Sequence, residues 1–294
     1  MELRYLKTDE FYHLRDLLDG VFSRKYGRET KFEKLFPRFF TEPNEYVTSS
    51  HIGMFDGDRL AGTAALYPLD YVIGEEHIKL YANGNVAVHE DYRGQGIMST
   101  ILKEINNICD DYADLCYLHG DPIRYGRFGY YGGGQQYVLT IAPEIGADYS
   151  FEPMKTEESE WLNSNVNKRS DYVLRKNDDL LPALCSGNRK ATTVYGKSGE
   201  IVGYISLGDN FVEEFAFNDK IELDVFRALA RRNKAAVKVR LSGYDLETLA
   251  RLRDYAKVEI SEPAMFRIIN PDRMKEVAIK MGLPEDTLYA PYLT

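Results

Sequence analysis

The chain has 294 residues, 44% hydrophobic and 28% charged, which excludes extensive disorder and provides for one or two buried cores. Its formal charge is −9, with 15 basic against 23 acidic residues over positions 1–150 and 22 against 23 over the remainder. No Lys/Arg cluster focuses a positive field, so a nucleic-acid partner is not expected. No stretch approaches the ~18 apolar residues of a membrane span, and the N-terminal MELRYLKTDEFYHL has no apolar leader core. A cytoplasmic location without membrane contact is expected. Cys109, Cys116 and Cys185 follow neither zinc nor disulfide spacing. The five histidines are scattered, so no metal site is expected, and Cys116 reads as core. An acidic surface favours a cationic small molecule such as an amine.

In chain order, 2–6 read as a strand, and Asp9 is placed to cap a helix carrying Phe11, Leu14, Leu17, Leu18 and Phe22. The segment 31–46 reads as a short helix and a loop, broken by Pro37 and Pro43, with Phe36, Phe39, Phe40 and Tyr46 as candidate pocket aromatics. A hairpin follows, 51–55 and 60–67 about Asp56-Gly57-Asp58. A second strand pair, 71–73 and 77–88, turns at Gly74. Gly84 inside the long strand marks a bulge or a close backbone approach. Ile97, Met98, Ile101, Leu102, Ile105 and Ile108 recur at helical spacing, and 115–118 is a short strand. The polar segment 143–171 holds a domain boundary. Beyond it lie strands at 191–195, 201–207, 212–217 and 235–241, helices at 221–232 and 246–255, a last strand at 265–269 and a closing helix at 271–281. MFDGDRLAGTAAL (54–66) is echoed by VYGKSGEIVGYISL (194–207), which suggests two copies of one architecture, divided as 1–147 and 148–294.

Chemistry concentrates after the long strand. Arg93-Gly94-Gln95-Gly96 joins a strand directly to the helix opening at Ile97 and Met98. A helix start presents N–H groups without intrahelical partners and the positive end of the helix dipole. Glycines allow a close approach by the backbone, so the loop is an anion site suited to a pyrophosphate, with Arg93 as an added cation.

VAVHEDYRGQGIMSTIL resembles the acyl-CoA signature of the GNAT superfamily of N-acetyltransferases. The segment Tyr125-Gly126-Arg127-Phe128-Gly129-Tyr130 is similar to one in the enhanced-intracellular-survival (Eis-like) branch of that superfamily. The resemblance implies an α+β chain of tandem GNAT folds, each a mixed, mostly antiparallel sheet flanked by helices, the second degenerate and without the RGxG loop. It implies acetyl-CoA as co-substrate and no metal. Arg93, Gly94, Gln95, Gly96, Ile97 and Met98 would hold the pyrophosphate, and the strand Val86-Ala87-Val88 would pair with the pantetheine arm. It also implies Tyr125 as general acid for the departing thiolate. His119, at the end of the preceding strand, is a candidate to orient the acceptor or shuttle a proton. Tyr130 is the alternative acid. That branch usually adds a sterol-carrier-like domain whose terminal carboxylate serves as base, and this sequence is expected to lack that domain. The base is then a carboxylate such as Glu90 or Asp121, the Thr294 carboxylate, or water.

The expected function is direct transfer of an acetyl group to a primary amine of a small molecule or peptide. The competing reading is a non-catalytic acyl-CoA-binding or regulatory module. A third, an aminoacyltransferase using charged tRNA, conflicts with the acidic charge and the intact loop.

Overall fold

The computed structural model describes residues 1–166, 170–262 and 264–282. The first part runs β1 (Glu2–Tyr5), α1 (Phe11–Tyr26), α2 (Phe32–Leu35), α3 (Pro37–Phe40), α4 (Glu45–Ser49), β2 (His51–Asp56), β3 (Arg59–Ile73), β4 (Glu76–Val88), α5 (Ile97–Tyr112), β5 (Leu115–Leu118), α6 (Pro122–Tyr125) and β6 (Tyr131–Gly133). Then come β7 (Gln136–Ile141), β8 (Ser150–Pro153), α7 (Ser159–Val166), β9 (Asp171–Val173), α8 (Asn177–Leu184), β10 (Lys190–Tyr195), β11 (Ile201–Gly208), β12 (Phe211–Phe217), α9 (Glu222–Asn233), β13 (Val237–Ser242), α10 (Leu246–Leu252), β14 (Lys257–Ser261), β15 (Ala264–Ile268) and α11 (Pro271–Lys280).

Two sheets organise these elements. One has the order β1-β2-β3-β4-β5-β15-β6, with β9 against the end of β3; the other has β14-β7-β13-β12-β11-β10-β8. The tandem α+β architecture expected from the sequence is therefore present. The compact units exchange segments rather than dividing at residue 147. One comprises Met1–Asp70, Ile78–Gly132 and Ala264–Glu276. The other comprises Tyr71–His77, Gly133–Pro263 and the chain from Val277 onward.

In the first unit, α1 buries Phe11, Leu14, Leu17 and Leu18 along one stripe and stops at Gly27, whose φ of +63° closes the last turn. Asp9 does not cap it. Asp9 lies in a single 3-10 turn, where the Glu10 carboxylate instead takes the Lys7 N–H at 2.7 Å and the Arg4 guanidinium. The expected helix and loop over 31–46 are three short helices. Pro37 is tolerated in the first turn of α3, where no intrahelical N–H bond is lost. The strand β3 runs unbroken through 68–70, where a break between strands was expected.

Strands β4 and β5 are parallel, but they pair only as Leu80–Leu115, Tyr81–Cys116 and Ala82–Tyr117. Beyond Ala82, β4 continues to Val88 without β5. The backbone irregularity predicted at Gly84 falls one residue later, at Asn85, with φ +53°. Asn tolerates this left-handed conformation because its short polar side chain bonds locally.

Helix α5 covers the sheet with Ile97, Ile101, Leu102, Ile105 and Cys109, all buried. The strand at 265–269, assigned by sequence to the second domain, belongs to the first sheet. There β15 runs antiparallel to β5, Met265 opposite Leu118 and Ile268 opposite Leu115. A short buried strand cannot leave one edge unpaired, and no local pattern in the sequence says which distant strand will fill that edge.

The second unit packs Val194, Ile205, Val212, Phe226, Leu229 and Val239 into its own core. Among the described residues, its one parallel contact, β12 with β13, spans two residue pairs, Phe211–Lys238 and Val212–Val239. Strands β7 and β14, which sequence periodicity did not mark, pair with each other in this sheet.

Gly62 of β3 fixes where α5 begins. A Cβ there would lie 2.7 Å from Ile97 Cγ2 and 3.1 Å from the Ala87 carbonyl oxygen. Gly62→Ala is expected to destabilise the fold by about 1–3 kcal/mol through overpacking, read as a lower urea midpoint with an unchanged slope.

Candidate active site

The strand–loop–helix from β4 to α5 forms an N–H cradle. Gly94 and Gly96 both have φ +78°, in the left-handed region that favours glycine. Among the described residues, the N–H groups of 94–99 donate no hydrogen bond to protein. They precede a 16-residue helix, so its dipole adds positive potential at the same place. Ile97 and Met98 form its first turn, Ile97 buried and Met98 half-buried.

The acidic residues ahead of the loop are already engaged. Arg24 pairs with Glu90 at 3.2 Å and Arg59 with Asp91 at 2.6 Å, while Tyr92 Oη donates to Asp56 at 3.0 Å. Arg93, exposed, has no such partner among the described residues. Gln95 turns back, its Nε2 donating to the Asp91 carbonyl at 3.2 Å. Gln95 braces the loop and does not line the cleft below it.

That cleft, of about 990 Å³, runs from the cradle along the free edge of β4. Val86 and Val88 line it, whereas Ala87, between them, is buried against Leu6 and Phe11 on the α1 side. A strand edge without a partner can accept an extended ligand as an added strand. The opposite wall includes Val21, Phe22, Phe32 and Phe36. Of the expected pocket aromatics, Phe36 alone lines the cleft; Phe40 is core, and Tyr46 stacks near Tyr67.

Tyr125 and His119 line the same cleft. Tyr125 is only 7% exposed, and its hydroxyl has no protein hydrogen bond among the described residues. Burial pushes its pKa up, with Arg124 opposing, so the phenol keeps its proton at neutral pH. Gly120 makes room for its ring: a Cβ there would lie 2.3 Å from Tyr125 Cε2. Sequence reading passed over Gly120, although it directly follows His119. His119 is hydrogen-bonded to the Tyr117 hydroxyl. Tyr130 is fully buried and does not reach the cleft.

His51, Asn85 and Tyr67 were also missed. His51 Nδ1 donates to the Val47 carbonyl at 2.6 Å, leaving Nε2 to accept from Asn85 Nδ2 at 3.2 Å. The same Nδ2 donates to Tyr67 Oη at 3.2 Å, so the bulge is anchored through its side chain. His51 is fully buried, and burial lowers its pKa to about 4.

The acidity of the chain does not extend into the cleft. Five cations line it, Arg24, Lys25, Arg93, Arg124 and Arg127, and no carboxylate among the described residues does. Glu90 is held by Arg24, and Asp121 caps α6 through the Ile123 N–H at 2.9 Å. The Thr294 carboxylate lies outside the described residues. Among those residues, no three His, Cys, Asp or Glu side chains are grouped to hold a metal ion.

The second unit repeats the fold without the cradle. Residues 218–221, between β12 and α9, contain no glycine. A cavity of about 660 Å³ beside them is lined by Asp148, Glu200 and Asp219, with Lys197.

Residues 2–132 match the family model of the acetyltransferase (GNAT) domain. Solved structures share the fold over nearly the whole chain. A probable N-acyltransferase from Enterococcus faecalis V583 is 18% identical, covering 94% of this chain and 74% of its own, with a TM-score of 0.69. A GCN5-related N-acetyltransferase from Kribbella flavida is 14% identical over 93% and 72%, with a TM-score of 0.67. Eis1 from Mycobacterium abscessus is 15% identical over 94% and 76%, with a TM-score of 0.58. No curated protein sequence matches the chain. Residues 2–132 thus match an acetyltransferase domain, and the fold of the chain is shared with these solved structures, Eis1 among them.

A histidine lowered from 6.5 to about 4 by folding binds fewer protons in the native state than in the unfolded state between those values. Stability therefore falls as pH drops from 6.5 to 4, by up to about 3 kcal/mol from this group. His51→Gln, which keeps a donor for Val47, is expected to flatten that part of the profile in denaturant titrations run at each pH.

Proposed function

We propose that the protein transfers an acetyl group from acetyl-CoA to a primary amine of a small molecule or peptide, directly and within one cleft. The observation that carries this reading is the continuity of that cleft, from the N–H cradle at 94–99 along Val86 and Val88 to the Tyr125 hydroxyl.

The residues present fit the CoA group. Two left-handed glycines with open space around them, partnerless N–H groups and an unpaired Arg93 suit a pyrophosphate. The free edge of β4 suits an amide-bearing arm. Bound there, acetyl-CoA supplies an acyl group activated as a thioester. Transfer forms a C–N bond, breaks the C–S bond, returns a proton to sulfur and removes one from nitrogen.

Tyr125 is the proton source in this reading. Its phenol is protonated at neutral pH, faces the cleft and is uncommitted to other groups. His119, held by Tyr117, orients the acceptor. No cleft carboxylate among the described residues serves as base, so the amine enters neutral and gives up its proton to water. A cleft of this charge suits amines without further positive groups, rather than polycations. The second domain is a degenerate copy whose corresponding cavity, lined by carboxylates, repels phosphate. The chain works in the cytoplasm as free-thiol protein, consistent with Cys109 and Cys116 buried and unlinked. Among the described residues, no helix is long and apolar enough to cross a membrane.

Acetyl-CoA at about a hundred times its dissociation constant is expected to stabilise the protein by ~2.7 kcal/mol, a shift of several degrees. In Arg93→Ala the shift should shrink markedly in the same thermal titration. Tyr125→Phe is expected to lower kcat about a hundredfold or more while leaving the KM for acetyl-CoA unchanged. Full turnover in steady-state assays of that variant would remove Tyr125 from the acid role.

A further inference from the structure

The cations along the cleft divide by what holds them. Arg93 belongs to the cradle, and Arg127 is tied to it, its Nη2 donating to the hydroxyl of Ser99 in the first turn of α5 at 3.3 Å. Arg24 pairs with Glu90 at 3.2 Å, and the Lys25 ammonium lies 5.4 and 5.3 Å from the ring centres of Phe22 and Tyr26. Arg124 is different. Its guanidinium has no ion pair or hydrogen bond among the described residues, and it immediately precedes Tyr125 in the single turn of α6. Its charge reaches the Tyr125 phenol, where it opposes the upward pull of burial. Asp121, whose charge reaches the same phenol, is committed to the Ile123 N–H at 2.9 Å and does not line the cleft. An unpaired cation therefore stands beside the proton donor. The wall built by α1 and α2 adds Val21, Phe22, Leu35 and Phe36, all half-buried and apolar.

We propose that the acceptor is a free α-amino acid with an apolar side chain, whose carboxylate is held by Arg124. The inference rests on the acyl-CoA reading above and narrows its acceptor. In an α-amino acid one carbon separates the nitrogen from the carboxyl group. A cation beside the proton donor can therefore grip the carboxylate while the nitrogen reaches the thioester carbonyl. A planar guanidinium meets a carboxylate through two parallel N–H bonds, which fixes orientation as well as charge. The apolar wall takes the side chain, which gains from leaving water. A polyamine has no anion near its reacting nitrogen and brings more positive charge into a cation-lined cleft. Transfer joins the α-nitrogen to the acetyl carbon. The C–S pair leaves with sulfur, which takes the Tyr125 proton. The nitrogen releases its proton to water, and water returns one to the phenolate. The products are an N-acetylamino acid and CoA.

The test compares wild type with Arg124→Gln and Arg124→Lys. Steady-state acetylation is measured with leucine and phenylalanine and with their carboxamides, which keep the amine and the side chain but lose the carboxylate. Spermidine is the polycationic control. Calorimetry measures acetyl-CoA binding, which also reports an intact fold and cradle. We expect wild type to favour each amino acid over its carboxamide in kcat/KM. Arg124→Gln should reduce that preference about 10-fold or more, chiefly through the KM for the amino acid. Arg124→Lys, which keeps the charge without the planar fork, should retain part of it. Both variants should bind acetyl-CoA as wild type does. A preference that Arg124→Gln leaves unchanged, or no acetylation of either amino acid by wild type, would overturn the assignment and leave the acyl-CoA reading standing. So would weakened acetyl-CoA binding in Arg124→Gln, which would put Arg124 on the phosphates. Failure of wild type to bind acetyl-CoA would overturn that reading and this inference together.

Discussion

The parting of β4 from β5 is the constraint on which the site depends. A parallel pair that stayed zipped to Val88 would bury the edge of β4 against β5 and leave no cleft. Here the pairing ends at Ala82, and the free edge of β4 lines the cleft. Three features hold it open. Asn85 adopts a left-handed backbone and ties its side chain to His51 and Tyr67. The other edge of β5 is taken by β15, so β5 stays in the sheet without its parallel neighbour. Gly62 lets the start of α5 settle directly on β3, which aims the cradle along the cleft.

Charge is distributed with the same economy. The first half of the chain is acidic, yet the carboxylates nearest the loop are neutralised by Arg24 and Arg59. What remains facing the cleft is cationic, so an anion meets a positive field inside an acidic protein. The second unit shows what happens without these arrangements. It keeps the sheet and a two-pair parallel contact but lacks the glycines, and its corresponding cavity carries carboxylates. One architecture thus carries an N–H cradle and a cation-lined cleft in one copy and a carboxylate-lined cavity in the other, because loop chemistry is not imposed by the fold.

Buried polar groups in the first unit divide into two kinds. Buried His51 and Thr63, with half-buried Asn85, are satisfied within the protein and fix backbone geometry. Asn83, with the Tyr130 hydroxyl as a neighbour, is of the second kind and lines the cleft. Groups of the first kind specify a single structure, whereas one of the second kind is presented to the cleft.

Local physics was legible in the sequence. The helical spacing of α5, the hairpins around β2 and β3, and the loop Arg93–Gly96 all depend on neighbours within a few residues, and each is recorded by its own period or turn chemistry. The segment around Tyr125 was legible by resemblance, because a long motif leaves a trace. Long-range choices were not legible. Nothing near residue 265 says that its strand completes the first sheet, since strand register and partner follow from burial of the assembled core. The bulge was placed one residue early because a glycine is visible in sequence, whereas the contacts that hold Asn85 lie 34 and 18 residues away. The net charge predicted an acidic environment, and only the tertiary structure decided which charges face the cleft. Sequence by itself determined most of the elements, the anion loop and the resemblance of the first part of the chain to an acetyltransferase domain. The tertiary structure decided where the sheet opens, which side chains meet there, and which of them remain unpaired, because those outcomes depend on contacts between residues far apart in the chain.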